Sequence, residues 1–314
     1  MKKKKFLFIM DPIEEVIPNK DTSYILMLEA FKRDISVYYC NQKDLFINQK
    51  IAHVSKAFNL DVFQYSNNSE IFSIKSMDNN IELKNFDVIF MRKDPPVDDE
   101  YIRATYILDM VKSDSLVVNN PSSLRAFNEK LSTLQFEDIV PNTSLCLGSD
   151  LEFINQWAKN CKLGIVIKPL NLCGGEGIQK FTFNQKEKVY LNPNETYILQ
   201  EFISEVKYGD KRVILLDGEP IGAILRKSSK DSFICNFHSG GTPHKTEITD
   251  DDLRICKRIK SFIIKNGIYL AGIDIIGNYL TEINITSPTC VQEINRANKV
   301  NLEKNILDFI IHKT

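Results

Sequence analysis

Histidine is scarce and long apolar runs are absent in this 314-residue sequence. Its four histidines form no evident group with serine or cysteine, which gives no support to nucleophilic catalysis by a Ser–His or Cys–His pair. The seven cysteines are scattered, and no two have the C-x-x-C spacing of a zinc ribbon or a thioredoxin-type site. No stretch of about 18 apolar residues occurs, so we expect no membrane-spanning helix.

Neither sign of charge is in excess. The 40 basic residues balance 41 acidic ones, so no overall field attracts nucleic acid or a membrane surface. The first apolar run, FLFIM, stops at Asp11-Pro12 and is too short for the core of a signal peptide. Together with the scattered cysteines, this predicts reduced thiols and a cytoplasmic protein.

Strand-like and helix-like segments alternate in the first third of the chain. This alternation is typical of a parallel sheet covered by helices. The second predicted helix carries apolar residues at helical spacing, at Ile102, Tyr106 and Met110. The polar run 65–80 is predicted to be an excursion from this domain. The predicted strands are KFLFIM, ISVYYC, FDVIFMRKDPP and SLVVNNP, and the predicted helices are KDTSYILMLEAFKR and DDEYIRATYILDMVKS.

The pattern changes near residue 124, where we place a domain boundary. NNPSSLRAFNEKLSTLQF predicts a helix capped by Ser122 or Ser123, and LEFINQWAKN predicts another. Short strands dominate afterwards, with one long helix, DDLRICKRIKSFIIKNG, that ends at Gly267. The fold class is therefore α/β, with an α+β character in the C-terminal part.

The stretch GIDIIGNYLTEINIT predicts a hairpin that carries polar side chains. Strand alternation places Glu282 and Asn284 on one face, and Asp274 lies on the neighbouring strand. Such oxygens suit Mg²⁺, although ordinary solvent-facing polar residues would give the same pattern. An unbulged two-residue turn would send Asp274 to the opposite face, so a shared site predicts a three-residue loop or a bulge, with Gly277 or Asn278 at positive φ.

A second stretch, IVIKPLNLCGGEGIQKF, places Lys168 at a strand end before Gly174, Gly175 and Gly177. It is not a Walker P-loop, because the lysine precedes the glycines and strand-like residues follow them. Glycines let backbone N–H groups approach phosphate oxygens, and the lysine adds a charge. A plain hairpin turn is the alternative interpretation.

A third stretch runs from TYILQEFI into YGDKRVILLDGEP. Gln200 and Glu201 are candidates for hydrogen bonds to the edge of an adenine, and Asp210 is a candidate acceptor of hydrogen bonds from a ribose. Arg212 and Arg226 follow on successive strands, and arginine suits bidentate capture of phosphate or carboxylate. Taken singly, an arginine in such a position is more often an ordinary surface residue.

The order of these features resembles the ATP-grasp superfamily of carboxylate–amine ligases, and longer stretches resemble the bacterial glutathione synthetase family within it. The resemblance covers nearly the whole chain in the right order. The stretches are MDPIE (10–14), FDVIFMRKDPPVDDEYIRATYIL (86–108), NNPSSLRAFNEKL (119–131), GDKRVILLDGEP (209–220) and GIDIIGNYLTEINITSPTC (272–290).

The resemblance implies a role for each matched position. Two positions depart from the family pattern: Glu201 stands where an uncharged residue is expected, and the segment after Arg226 has few glycines and no arginine after Gly240-Gly241. The implied roles are phosphate binding by Lys130, Lys168, Gly174, Gly175 and Gly177, adenosine binding by Gln200, Glu201, Phe202, Ile203 and Asp210, catalysis by Arg212 and Arg226, metal binding by Asp274, Glu282 and Asn284, and substrate contact by Ser287 and Thr289.

The resemblance also implies ATP and Mg²⁺, with Mn²⁺ as a second possible ion, and the joining of γ-glutamylcysteine and glycine through an acyl phosphate. It implies a homotetramer, a Rossmann-like N-terminal domain over 1–124, and an ATP-grasp domain over 125–314 that divides near residue 198. Two alternatives stay open. Another ATP-grasp ligase would share both lysines and the metal ligands, whereas a non-catalytic ATP-binding scaffold would be expected to lose metal ligands or Arg226.

Overall fold

The computed structural model describes residues 3–64, 70–183, 189–229 and 232–314. Its first sheet has the strand order β3-β4-β2-β1-β6-β7, with β5 paired to β4, and β2, β1, β6 and β7 run parallel. The predicted parallel sheet is therefore confirmed, and an antiparallel part extends it. The seven strands are β1 (Lys5–Ile9), β2 (Ser36–Cys40), β3 (Leu45–Asn48), β4 (Ile51–Gln64), β5 (Glu70–Glu82), β6 (Val88–Met91) and β7 (Leu116–Val118).

Residues 70–80 of the polar run belong to a long strand that sequence patterning did not predict. Residues 65–69 lie outside the described residues, and residues 70–80 form most of β5, which pairs with β4 from His53↔Glu82 to Gln64↔Glu70. Polar side chains are compatible with strands here because much of β5 is exposed.

Helices cover the first sheet. α1 (Thr22–Lys32) and α2 (Asp99–Asp109) are capped by the side chains of Asp21 and Asp98, which accept from backbone N–H groups in the first turn. The short α3 (Pro121–Ala126) is capped by Asn120, so the predicted Ser122 or Ser123 cap is wrong.

The helix predicted over 119–136 also ends early, because Asn128 caps a new turn. Its Oδ1 accepts from the backbone N–H groups of Lys130 at 2.9 Å and of Leu131 at 3.1 Å. A 3₁₀ turn over Leu131–Gln135 follows. The break places Glu129 and Lys130 in an irregular segment that borders the site described below.

Two further sheets form the rest of the chain. The second, with order β10-β9-β11-β8, packs against α4 (Leu151–Lys159), and the third has the order β14-β13-β12-β15-β16. The second comprises β8 (Thr143–Leu147), β9 (Ile165–Pro169), β10 (Gln179–Phe181) and β11 (Thr196–Glu201), and the third comprises β12 (Asp210–Leu216), β13 (Glu219–Lys227), β14 (Thr242–Lys245), β15 (Leu270–Ile276) and β16 (Tyr279–Asn284).

The predicted long helix is α5 (Asp250–Lys265), and Gly267 lies just beyond its end at φ +63°. Two more helices, α6 (Val291–Asn298) and α7 (Leu302–Lys313), were not predicted. Both contribute to a core that also contains residues of β1, β6 and β13. None of the helices in the described ranges has the length and apolar character needed to cross a membrane.

Candidate active site

A cleft of about 600 Å³ opens between the second and third sheets. Both antiparallel sheets contribute strands to its walls, and the segment after β13 covers it with Phe233 and Ile234. Eight of the predicted site residues line this cleft: Lys168, Gln200, Glu201, Phe202, Ile203, Asp210, Asp274 and Glu282. The structure therefore brings together residues that lie more than a hundred positions apart in the sequence.

Two lysines approach the cleft from different elements. Lys168 on β9 is buried, and its Nζ donates to Gln200 Oε1 at 3.0 Å. Burial lowers the pKa of Lys168. The Nζ of Lys130 donates to Glu129 Oε1 at 2.6 Å and to the Leu172 carbonyl oxygen at 2.7 Å.

The pKa of Lys130 is raised. Burial alone would lower it, but the carboxylates of Glu282 and Glu129 outweigh burial. The backbone carbonyl oxygen of Glu129 accepts a hydrogen bond from the Ile283 N–H at 2.9 Å, which joins this segment to β16. Sequence reasoning missed Glu129 as a site residue, and its only signal was its position next to Lys130.

The glycine-rich loop leads from β9 to β10 and does not open a helix, in agreement with the prediction. Gly174, Gly175 and Gly177 have φ values of +68°, +89° and +69°, a conformation that glycine adopts without strain. A Cβ on Gly175 would lie 2.6 Å from Ile234 Cγ2. The side chain of Ser239 donates to the Gly174 carbonyl oxygen at 3.2 Å. The segment after β13 therefore packs directly on this loop.

Arginines and carboxylates alternate across the third sheet. In the strand register, Arg212 lies opposite Asp274, and Asp210 lies opposite Arg226. Arg212 donates to both oxygens of Asp274, with Nη2 at 2.9 Å from Oδ2, and Arg226 Nη2 lies 3.0 Å from Asp274 Oδ1. Burial acts to raise the pKa of Asp274, but the two arginines lower it well below its usual value.

The hairpin β15–β16 has the predicted bulge. Gly277 and Asn278 form the turn, with Gly277 at φ +58°, and Asp274 pairs with Glu282 because Thr281 is an extra residue in β16. Thr281 Oγ1 donates to the Asp274 carbonyl oxygen at 3.1 Å. Asn284 pairs with Gly272, so Asp274, Glu282 and Asn284 share one face of the sheet.

These side chains fit a hard divalent cation with few protein ligands. Asn284 Nδ2 donates to the Gly272 carbonyl oxygen at 3.3 Å, which orients the amide, while both oxygens of Asp274 contact arginines. Among the described residues, no group of three or more His, Cys, Asp or Glu side chains is close enough to hold a metal. Glu282 and Asn284, completed by water and phosphate oxygens, match the sparse protein coordination of Mg²⁺.

The segment Ser287–Thr289 is joined to the N-terminal sheet through an arginine that sequence reasoning did not assign to the site. Arg92 Nη2 donates to the Pro288 carbonyl oxygen at 3.0 Å. Ser287 is half-buried and Thr289 is exposed. The sequence feature that could have identified Arg92 is its position as a charged residue directly after a predicted buried strand, in FDVIFMRKDPP.

Solved structures define the class to which this architecture belongs. The ATP-grasp ligase PsnB, complexed with a phosphomimetic variant of a minimal precursor, Mg and ADP, superposes with a TM-score of 0.62 over 99% of each chain at 14% identity. The D-cycloserine synthetase DcsG superposes with a TM-score of 0.61 over 96% of this chain and 100% of its own, at 12% identity. The fold is therefore that of the ATP-grasp enzymes.

Sequence comparisons narrow the class to a family. The family model of the prokaryotic glutathione synthetase N-terminal domain matches residues 5–125, and that of the ATP-grasp domain of the same family matches residues 129–299. The glutathione synthetase of Gloeobacter violaceus is 37% identical over 99% of this chain and 97% of its own length, and that of Coxiella burnetii is 38% identical over 96% and 94%. The chain belongs to the prokaryotic glutathione synthetase family.

Proposed function

We propose that this chain joins γ-glutamylcysteine and glycine at the expense of ATP, giving glutathione, ADP and phosphate. The observation that carries the proposal is the buried Arg212–Asp274–Arg226 cluster, whose Asp274 lines the same cleft as Lys168. Phosphoryl transfer to a carboxylate needs positioned positive charge more than it needs a general base. This site supplies such charge, and the described residues that line it include no histidine.

Each step has residues suited to it. The cysteinyl carboxylate oxygen attacks the γ-phosphorus and ADP leaves, while Lys130, Lys168 and the loop N–H groups hold the phosphates. Glycine's amine then attacks the acyl carbon, phosphate leaves, and the amine loses a proton. Arg212 and Arg226 stabilise the charge that develops on the phosphoryl and carboxyl oxygens. Gln200–Ile203 and Asp210 hold the adenosine, and Ser287 and Thr289 face the peptide.

The metal ligands in this proposal are Glu282 and Asn284, with Asp274 as a third. Mg²⁺ or Mn²⁺ held there would neutralise phosphate charge during transfer. Asp274 becomes available only when Arg212 and Arg226 both turn toward the transferring phosphoryl group, because Arg212 now contacts both of its oxygens and Arg226 contacts Oδ1. We further propose a domain division near residues 124 and 198, a homotetramer and a cytoplasmic location.

ADP release, measured with both substrates and with each omitted, tests the proposal. We expect release to need γ-glutamylcysteine, and glutathione to appear only when glycine is also present. Release with an unrelated dipeptide, without glutathione, would instead support another ATP-grasp ligase. An Arg226→Met variant should retain ADP binding and lose turnover, and Arg254→Met on the exposed face of α5 is the matched control.

A further inference from the structure

Arg92 is a buried cation without a bonded carboxylate in the described part of the chain. It lies directly after β6 and is 3% exposed. Its Nε donates to Ser23 Oγ at 2.9 Å and its Nη2 to the Pro288 carbonyl oxygen at 3.0 Å. Its Nη1 is buried and has no hydrogen-bond partner in the described ranges. A buried guanidinium held by neutral groups alone is strongly unfavourable, so this nitrogen is suited to an anion.

The acidic residues that face Arg92 do not neutralise it directly. Asp21 and Asp94 both act on its pKa, although burial has the larger effect and lowers it. The Oδ1 of Asp21 caps α1 by accepting from the Tyr24 N–H at 2.6 Å, and Asp94 is exposed. The positive charge of Arg92 therefore has no buried counter-ion among the described residues.

A second unsatisfied donor lies near Arg92. The hydroxyl of Tyr101, in the first turn of α2, is buried and has no hydrogen-bond partner within the ranges that the structure describes. Burial raises the pKa of Tyr101, and Arg92 is close enough to oppose this rise. A carboxylate has two oxygens, so one carboxylate can accept from both the guanidinium and the hydroxyl.

Pro288 connects this pair to the reaction site. Its carbonyl oxygen holds Arg92, and its ring lies beside Gly272 on β15. A Cβ built on Gly272 would lie 3.2 Å from Pro288 Cβ and 3.1 Å from Arg212 Cδ. Arg92 is therefore separated from the Arg212–Asp274–Arg226 cluster by little more than one residue of the segment expected to contact the peptide.

We propose that Arg92 Nη1 and the Tyr101 hydroxyl form a second anion subsite, which binds a substrate carboxylate that is not phosphorylated. This inference rests on the proposed function. Two substrate groups have the required chemistry: the α-carboxylate of the glutamyl residue in γ-glutamylcysteine, and the carboxylate of glycine. Binding of either one would pair the buried charge and fix the substrate relative to Arg212.

The variants Tyr101→Phe and Arg92→Met test this subsite, with Arg103→Met as the control, because Arg103 is exposed on α2. Tyr101→Phe removes only a hydroxyl that has no hydrogen-bond partner among the described residues, so the fold should be retained. We expect the KM for one carboxylate substrate to rise about 5- to 20-fold in Tyr101→Phe and further in Arg92→Met. The KM for ATP should stay unchanged in both variants.

A substrate analogue identifies the bound carboxylate. In γ-aminobutyryl-cysteine, hydrogen replaces the glutamyl α-carboxylate. If the subsite holds that group, the preference of the wild type for γ-glutamylcysteine over the analogue should be lost in Arg92→Met. If the subsite holds glycine, the KM for glycine should rise and the dipeptide preference should persist. Unchanged KM values for γ-glutamylcysteine and glycine in Tyr101→Phe would overturn the proposal. Equal increases in the KM values for γ-glutamylcysteine, glycine and ATP in Arg92→Met would also overturn it.

Direct binding separates this inference from the proposed function. Calorimetric titration of γ-glutamylcysteine and of glycine, in the presence of ADP and Mg²⁺, needs no turnover. Weaker binding of one of them to both variants supports the subsite even if the wild type forms no glutathione, which would refute the proposed function alone. Equal binding to wild type and variants would refute the subsite alone.

Discussion

At Lys168, a charge is buried next to a neutral acceptor, Gln200. Lys168→Met preserves the length and apolar volume of the side chain, so we expect the fold to persist. In the proposed function this charge acts most strongly on the transferring phosphoryl group, so kcat should fall by about 10²- to 10³-fold and the KM for ATP should rise. Steady-state kinetics and urea unfolding measure the two effects, and Lys257→Met on exposed α5 is the control. Unchanged kinetics would exclude a phosphate role for Lys168.

Asp109 gives a pH-dependent prediction away from the site. Burial acts to raise its pKa, but bonds from Lys112, Arg125 and Ser122 lower it below the ordinary value of 3.8. Since the folded pKa lies below the unfolded one, the ionised carboxylate stabilises the fold above pH 3.8, and this contribution is lost as the pH falls through the folded pKa. Asp109→Asn should therefore lower the free energy of unfolding by about 1 kcal/mol at pH 7.

Urea unfolding at several pH values tests the direction in which the stabilisation by Asp109 changes with pH. The difference between wild type and Asp109→Asn should persist from pH 7 to about pH 5 and then shrink as the solution is acidified further. Asp251→Asn, in an exposed pair whose closest atoms are 3.9 Å apart, is the control and should change stability little at any pH. A difference that does not depend on pH would contradict the assigned ionisation.

At the scale of elements, the position of α2 was predicted correctly, whereas its buried face was not. The apolar series Ile102, Tyr106 and Met110 does not form the buried stripe of α2, because Tyr106 is 57% exposed and Met110 is 39% exposed. Tyr101, Ala104 and Leu108 have an equally helical spacing and are buried instead. Two faces of one helix satisfied the same periodicity, and only packing on the sheet decides between them.

The carboxylate positions followed from local rules, whereas their partners did not. A bulge was predictable because Asp274 and Glu282 cannot share a face across a regular two-residue turn. The pairing of Arg212 with Asp274 depends on the register between β12 and β15, which are joined by more than fifty residues. No local pattern encodes that register, so the arginine–carboxylate cluster emerged only from the structure.

The segment from Lys227 to Gly241 is predicted to be a lid. Its described part contacts the glycine-rich loop through Ser239 and buries Cys235 against the Val206 carbonyl. Because these contacts are few, we expect the segment to open readily. Residues 230–231 lie outside the described residues. Limited digestion with chymotrypsin should cut after Phe233 without ligands and slow when ATP, magnesium and dipeptide are added.

A matched variant strengthens the digestion experiment. Ser239→Ala removes the donor to Gly174 and should speed cleavage of the free protein by a few-fold, whereas Ser229→Ala, at the other end of the segment, is the control. Equal cleavage rates with and without ligands in the wild type would show that the segment does not close over the site.

At the scale of the molecule, Asn119 joins the first sheet to the third. It is 2% exposed, donates to the Leu270 and Ile285 carbonyl oxygens at 2.7 and 2.6 Å, and accepts from the Leu270 N–H at 2.9 Å. Asn119→Ala would leave three buried backbone groups unsatisfied, so we expect a loss of about 2–4 kcal/mol in the free energy of unfolding. Urea unfolding measures this loss, and Asn155→Ala, at an exposed position on α4, is the control. A loss below about 1 kcal/mol in Asn119→Ala would contradict the role of Asn119 in joining the two sheets.

The hydrophobic clusters also predict which parts of the chain open together. Two clusters mix residues of the first and third sheets, such as Leu7 with Ile273 and Phe8 with Ile214. The third cluster is confined to residues of 146–199 and is much smaller. We therefore expect the second sheet to open locally while the other two sheets remain folded together.

Amide hydrogen exchange can resolve these units. Without ligand, amides of β9 and β11 should exchange faster than those of β1 and β15, because opening the second sheet exposes only the small cluster. Under the proposed function, ADP with magnesium would contact both walls of the cleft, so at about 100 times its dissociation constant it should slow exchange in β9 and β11 by up to about 100-fold. Exchange in β1 should change far less, because opening of the second sheet does not expose it. Uniform protection of all three sheets in the free protein would show instead that the chain opens as one cooperative unit.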